Sequence, residues 1–121
     1  MPKLVRNPSR KAEIRDDLFK AIADPSRRRM LNLLAKQELP LKGIEESFRM
    51  SRPAVIKHLR ILKSCRLVGV RRQGRLTIHR LNPGPLRAVR DWICEFEVFW
   101  DDHLQNLKKQ IESDTRNRHG D

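Results

Sequence analysis

Ten cations and no carboxylate occupy residues 49–80: Arg49, Arg52, Lys57, Arg60, Lys63, Arg66, Arg71, Arg72, Arg75 and Arg80. Guanidinium and ammonium groups at this density neutralise phosphates and release counterions from a polyanion. A merely solvated face would carry acids as well, and the chain has 15 of them to place elsewhere. The chain holds 27 Lys+Arg, for a formal net charge of +12, so most of the excess is local. Lys3, Arg6, Arg10 and Lys11 add a second, smaller basic group at the start. Residues 12–48 balance their charges, and residues 81–121 are slightly acidic. An anionic membrane surface is another polyanion, but it requires no such localisation.

Other reactive groups are sparse. Cys65 and Cys94 cannot build a disulfide framework. Either is a candidate redox thiol if its pKa is lowered, and Arg66 beside Cys65 is a cation that could do so. The alternative for each is a buried, inert thiol. His58 sits beside an apolar stripe, where packing and hydrogen bonding are the simpler role than metal ligation. No Gly-rich phosphate loop, nucleophile elbow or HExxH motif is present, so no enzyme is expected. The paired acids Asp16-Asp17, Glu45-Glu46 and Asp101-Asp102 are adjacent, and adjacent residues do not share a helix face.

These residues need elements to position them. A chain of 121 residues fits one domain. It has no apolar run long enough to span a bilayer, and its opening MPKLVRNPSRK lacks the apolar core of a secretory signal. The expectation is a reduced, cytoplasmic setting with no membrane partner. Residues 1–11 read as a mobile basic arm. Residues 12–23 place Ile14, Leu18 and Ile22 on one helical stripe. Asp24-Pro25 ends that helix and caps a second, running to about Gln37. A short helix follows at about 41–48, and Ser51 caps another at 51–65. After Cys65 the period changes from helix to strand. Residues 67–72 and 75–81 fit two strands around a Gln73-Gly74 turn. Residues 85–112 read as one helix roughly 40 Å long, and 113–121 as a polar tail. The fold class is mainly α with a small β-hairpin: a winged helix-turn-helix with a long C-terminal dimerisation helix.

In the helix at 51–65, Val55, Leu59 and Leu62 form a narrow core stripe. Arg52, Pro53, Ile56, Lys57, Arg60 and Lys63 fall on the opposite side. Such a face enters a major groove, so Ser51, Arg52, Pro53, Ile56, Lys57 and Arg60 are the expected DNA contacts from this helix. Ser51 suits a phosphate at the helix N-terminus. Ile56 either touches a thymine methyl or packs locally. Arg72, Gln73 and Arg75 at the hairpin tip suit a phosphate ridge or a narrow minor groove. The alternative is a hairpin edge kept soluble by charge.

The last helix carries Val89, Ile93, Phe96, Trp100, Leu104, Leu107 and Ile111 at heptad-like steps, widened by Trp92 and Phe99. Such a stripe predicts a homodimer. Its interface is expected from Leu18, Ile22, Trp92, Ile93, Phe96, Trp100, Leu104, Leu107 and Ile111.

The stretch Ala21-Ile22-Ala23-Asp24-Pro25-Ser26-Arg27-Arg28-Arg29-Met30-Leu31 resembles the opening signature of ArsR-family winged-helix regulators. So does Ser51-Arg52-Pro53-Ala54-Val55-Ile56-Lys57-His58-Leu59-Arg60-Ile61-Leu62, followed by Leu67-Val68, the hairpin and Leu81. The similarity covers roughly residues 12–112. It implies a homodimeric bacterial repressor of promoter DNA. The family often has Ser where this chain has Ile56, and Ala-Gly where it has Cys65-Arg66. Its thiolate metal-sensing motif would fall on residues 39–46, which hold no Cys or His. Asp101-x-His103 matches half of a second family metal site, but Asp114 and Asn117 complete it poorly. No metal and no cofactor are expected.

The sequence therefore predicts a homodimeric, sequence-specific repressor on a pseudo-palindromic duplex operator, its inducer unknown. The alternatives are a thiol- or ligand-responsive repressor and a sequence-neutral architectural DNA-binding protein. A double-stranded RNA or membrane-surface binder is a further rival.

Overall fold

Asp24 and Pro25 separate the first two helices in the computed structural model, which describes residues 10–119 and side chains through residue 115. α1 spans Arg10–Ala23 and α2 spans Pro25–Lys36. Arg10 and Lys11 therefore open α1, where a mobile arm was expected. The rest of that arm lies outside the described residues. Asp24 is extended, and its Oδ2 accepts the Arg27 backbone N–H at 2.9 Å, while Pro25 occupies the first turn, where its missing N–H costs nothing. That backbone N–H holds the Asp24 carboxyl below its ordinary value. The arginines after Pro25 also finish α1. Arg27 Nε donates to the Ala21 carbonyl at 2.7 Å, and Arg28 Nη1 donates to that of Ile22 at 2.8 Å. Cations on the open carbonyls of a helix C-terminus satisfy acceptors and complement its dipole.

α3 spans Leu41–Glu46, two residues shorter than the expected helix. α4 spans Arg52–Ser64, and Ser51 Oγ accepts the Ala54 N–H at its N-terminus. α4 ends in a Schellman turn. The Leu67 N–H reaches the Leu62 carbonyl, and the Arg66 N–H reaches that of Lys63. This places Arg66 in the left-handed region at φ 63°, a conformation that penalises every residue with a Cβ. Arg66→Gly is therefore expected to stabilise the fold by about 1 kcal/mol, read as a raised urea midpoint at unchanged slope. An unmoved midpoint would show that Arg66 makes contacts that offset its strain.

β2 spans Val68–Gln73 and β3 spans Leu76–Leu81, paired antiparallel with Gln73 opposite Leu76. The turn is thus Gly74-Arg75, one residue later than expected. Gly74 has φ 62°, which suits the first central position of a type II′ turn, where glycine stands without strain. A third strand escaped the sequence reading. β1, Leu39–Pro40, pairs with β3 through Leu39–His79 and Pro40–Ile78, giving the order β1-β3-β2.

Met30, Ile44, Val55, Leu59, Leu62 and Leu67 are the largest fully buried side chains. Each contributes about 1.5–3 kcal/mol by leaving water. They draw α2, α3, α4 and the start of the hairpin onto one core. His79 is buried beside them, with Nδ1 3.2 Å from the Leu39 carbonyl oxygen. Burial, then the charge of Lys63, pushes its pKa below the ordinary value near 6.5, against the Leu39 carbonyl, which favours the protonated form. The unfolded chain therefore binds this proton first as pH falls. Stability is full above pH 6.5 and declines as pH drops from there through the folded-state value. His79→Gln should flatten that part of a Tm-against-pH curve; an unchanged curve would assign the titration to another group.

The chain comprises two compact units, Met1–Arg87 and Ala88–Asp121. The continuous helix expected over 85–112 is interrupted. A 3₁₀ turn at Gly84–Leu86 leads into α5, Arg87–Cys94, and α6 runs Glu97–His119. At the break, the Glu95 N–H is shared between the Asp91 and Trp92 carbonyls, and the Phe96 N–H bonds to Ile93. These i→i+3 bonds tighten one turn without glycine or proline. α6 also continues past residue 112, to His119. Of the expected polar tail, residues 120–121 lie outside the described residues.

Candidate nucleic-acid interface

α4 presents two unlike sides. Val55, Leu59 and Leu62 are buried, whereas Ser51, Arg52, Pro53, Lys57 and Arg60 are exposed. Among the described residues, no hydrogen bond or ion pair engages Lys57 or Arg60. Both cations are thus available to an external anion. Ile56 is half-buried, between the two roles expected of it. Ser51 already accepts the Ala54 N–H; its hydroxyl proton remains free to donate. His58 is half-buried, with Nδ1 3.4 Å from Arg27 Nη1 and 3.9 Å from Asp24 Oδ2. It ties α4 to the start of α2 and is packed, as its place beside the apolar stripe suggests.

Two of the ten cations are held by acids from outside the basic segment. Arg71 donates to Glu38 Oε2 at 2.7 Å from Nη2 and 3.2 Å from Nε, and also to Gln73 Oε1 at 2.8 Å. Arg52 Nε lies 3.2 Å from Glu45 Oε1. Exposed pairs of this kind add at most about 1 kcal/mol to stability. Their effect here is positional. Glu38 ties the middle of β2 to the residue before β1, and Glu45 holds Arg52 against α3. Glu38 did not stand out in the sequence, because only folding closes the 33-residue gap that separates it from Arg71. Gln73 ends β2 and is engaged by Arg71, so the free cations at the tip are Arg72 and Arg75, both exposed.

The thiols separate. Cys65 is buried, with Sγ 3.5 Å from the Asp17 carbonyl oxygen. Cys94 is exposed, and local desolvation, a hydrogen bond with Glu97 and that residue's charge push its thiol above the ordinary value. The surroundings of Cys94 thus disfavour its thiolate. Asp101 and His103 lie exposed on α6, and no group of three metal-ligating side chains gathers among the described residues. No described helix is long and apolar enough to cross a membrane.

Of the residues expected at a subunit contact, Leu18 is 3% exposed, so its side chain belongs to the chain's own core, and Ile22 is half-buried. The second unit differs. Trp92, Ile93, Phe96, Trp100, Leu104, Leu107 and Ile111 are all exposed, Trp100 by 58% and Ile111 by 66%. Trp92 and Phe96 meet edge to face at 5.3 Å.

Residues 24–70 match the model of the bacterial regulatory protein arsR family. The transcriptional repressor SdpR of Bacillus subtilis is 35% identical over 81 residues, covering 67% of this chain and 90% of that protein. The HTH-type transcriptional regulator Rv2034 of Mycobacterium tuberculosis is 33% identical over 99 residues, covering 82% and 90%. The crystal structure of an ArsR family transcriptional regulator superposes with a TM-score of 0.66 at 28% identity, over 74% of this chain and 93% of that one. The buried stripe and exposed cations of α4, the hairpin beside it and these relatives agree: the chain belongs to the ArsR family, as a winged helix-turn-helix DNA-binding transcriptional regulator.

Proposed function

We propose that the protein is a homodimeric repressor that binds a pseudo-palindromic operator in the cytoplasm, with no catalytic activity of its own. Arg52, Ile56, Lys57 and Arg60 meet base edges and flanking phosphates in the major groove, with Ser51 and Pro53 at the helix entrance. Arg72, Gln73 and Arg75 lie along the adjoining backbone or minor groove. The apolar face of residues 92–111 joins two copies, so that two α4 helices stand about one helical turn, 34–36 Å, apart. Ile22 adds to that contact, and Leu18 supports it from the core.

One observation carries this reading. The acid-free basic segment folds into one helix with a buried apolar stripe and unpaired outward cations, plus a hairpin with unpaired cations at its tip. That relatives such as SdpR are transcriptional repressors supplies the direction of regulation. The test is the affinity of the purified protein for its own upstream region against scrambled duplex of equal length. A preference of about 10³-fold or more is expected. Equal affinity would favour a sequence-neutral architectural protein.

A further inference from the structure

Between α4 and the hairpin lies a cleft of about 680 Å³, within the range of small-molecule sites, about 300–1,000 Å³. It belongs entirely to the first unit. Ile56, Leu59, Leu41 and Leu76 supply apolar surface, and the buried His79 ring lines it as well. Lys42, Arg52, Lys63 and Arg75 also line it. No acidic residue lines it among the described residues. Glu45 approaches Arg52 Nε at 3.2 Å without lining the cleft, which leaves three of its four cations without a carboxylate partner. Apolar surface beside cations and no acid favours a hydrophobic body bearing an anionic group such as a carboxylate. A neutral ligand would gain nothing from these exposed cations, and a cationic one would be repelled.

We propose that this cleft is an effector site for a small aromatic or alicyclic carboxylate, and that its occupancy competes with duplex DNA. The competition follows from shared residues, and it rests on the DNA reading above. Arg52, Ile56 and Arg75 line the cleft and belong to the proposed DNA face. A carboxylate drawn between Arg52, Lys63 and Arg75 takes cationic groups that phosphates would otherwise engage. Linkage then requires DNA to weaken the carboxylate by the same factor as the carboxylate weakens DNA.

The probe is 2-naphthoate, with 2-naphthamide as the neutral control, titrated into the full-length protein and followed by amide NMR shifts. The carboxylate is expected to shift Lys63, Thr77 and His79 and to bind at least tenfold tighter than the amide. Thr77→Trp, at an exposed residue of the cleft wall, should abolish binding. Lys63→Glu should weaken naphthoate at least tenfold while sparing the amide, which keeps the test intact if the tryptophan variant fails to fold. Equal binding of the two probes, shifts centred on Phe96–His103, or no binding at millimolar naphthoate would each overturn the site. Anisotropy of a labelled upstream duplex then decides the competition. Release by naphthoate is expected, and a duplex unaffected at saturation would overturn it. If the protein binds no duplex at all, the DNA reading fails while the NMR titration still decides the site.

Discussion

Replacing Trp100 and Leu107 together by glutamate is expected to convert the protein to monomers and to weaken operator binding by about 10³-fold or more. Both side chains are exposed in the single chain, by 58% and 40%, so their replacement leaves the core intact. If each is buried in the dimer, its loss removes about 1.5–3 kcal/mol per side chain. The twofold axis counts every loss twice, and four carboxylates then face one another across an apolar seam. At 1.4 kcal/mol per factor of ten, this exceeds 10³-fold in dimer affinity. A monomer holds one half-site and loses the effective concentration that links the two. Light scattering and a circular dichroism spectrum read the result together. An intact dimer with native helicity would remove residues 92–111 from the interface.

The second large effect separates the helix from the hairpin. Arg60 is exposed and unpaired on α4, so Arg60→Ala should relax base preference, costing about 1–3 kcal/mol on the operator and little on random duplex. Arg75 stands at a two-residue turn, where it can follow a backbone but reach few base edges. Arg75→Ala should weaken binding to every sequence alike and reduce the salt slope by about one unit per half-site. Identical behaviour of the two variants would contradict this division. Arg71→Ala should act differently from both, because Arg71 is bound to Glu38 and Gln73 and shapes the hairpin rather than contacting phosphate.

The helical part of the DNA-binding unit was legible because local chemistry decides it. Asp24-Pro25 and Ser51-Arg52-Pro53 are capping sequences that act within four residues, and the stripes of α2 and α4 follow one period. The hairpin was legible to within a residue. Its turn slipped because Gln73-Gly74 and Gly74-Arg75 both place glycine centrally; the first would force a positive φ on Gln73 as well, whereas the second needs it at Gly74 alone. β1 was hidden, since two residues show no alternation. The Glu38–Arg71 and Glu45–Arg52 pairs were hidden for a different reason: attraction between exposed charges leaves no periodic trace. The burial of Leu18 in the chain's own core was not legible, because an amphipathic stripe records that a face is buried and not whether the chain itself or a second copy covers it. The α5–α6 break left no signal either, because two i→i+3 bonds barely disturb the apolar spacing. Of the site, the unpaired cations of α4 and the tip were readable from the absence of acids, and the cleft beneath the hairpin was not, since it exists only once β3 and α4 face each other.

The central claim is that two copies present α4 and the hairpin tip to one face of a duplex. Hydroxyl-radical footprinting on the upstream region tests it most directly. Two protected patches related by a dyad are expected, spaced about one helical turn, 10–10.5 base pairs, or a whole multiple of it. Arg75→Ala should fade their edges, and Arg60→Ala should shift protection toward random sites. A single unpaired patch, or uniform protection along the fragment, would contradict it.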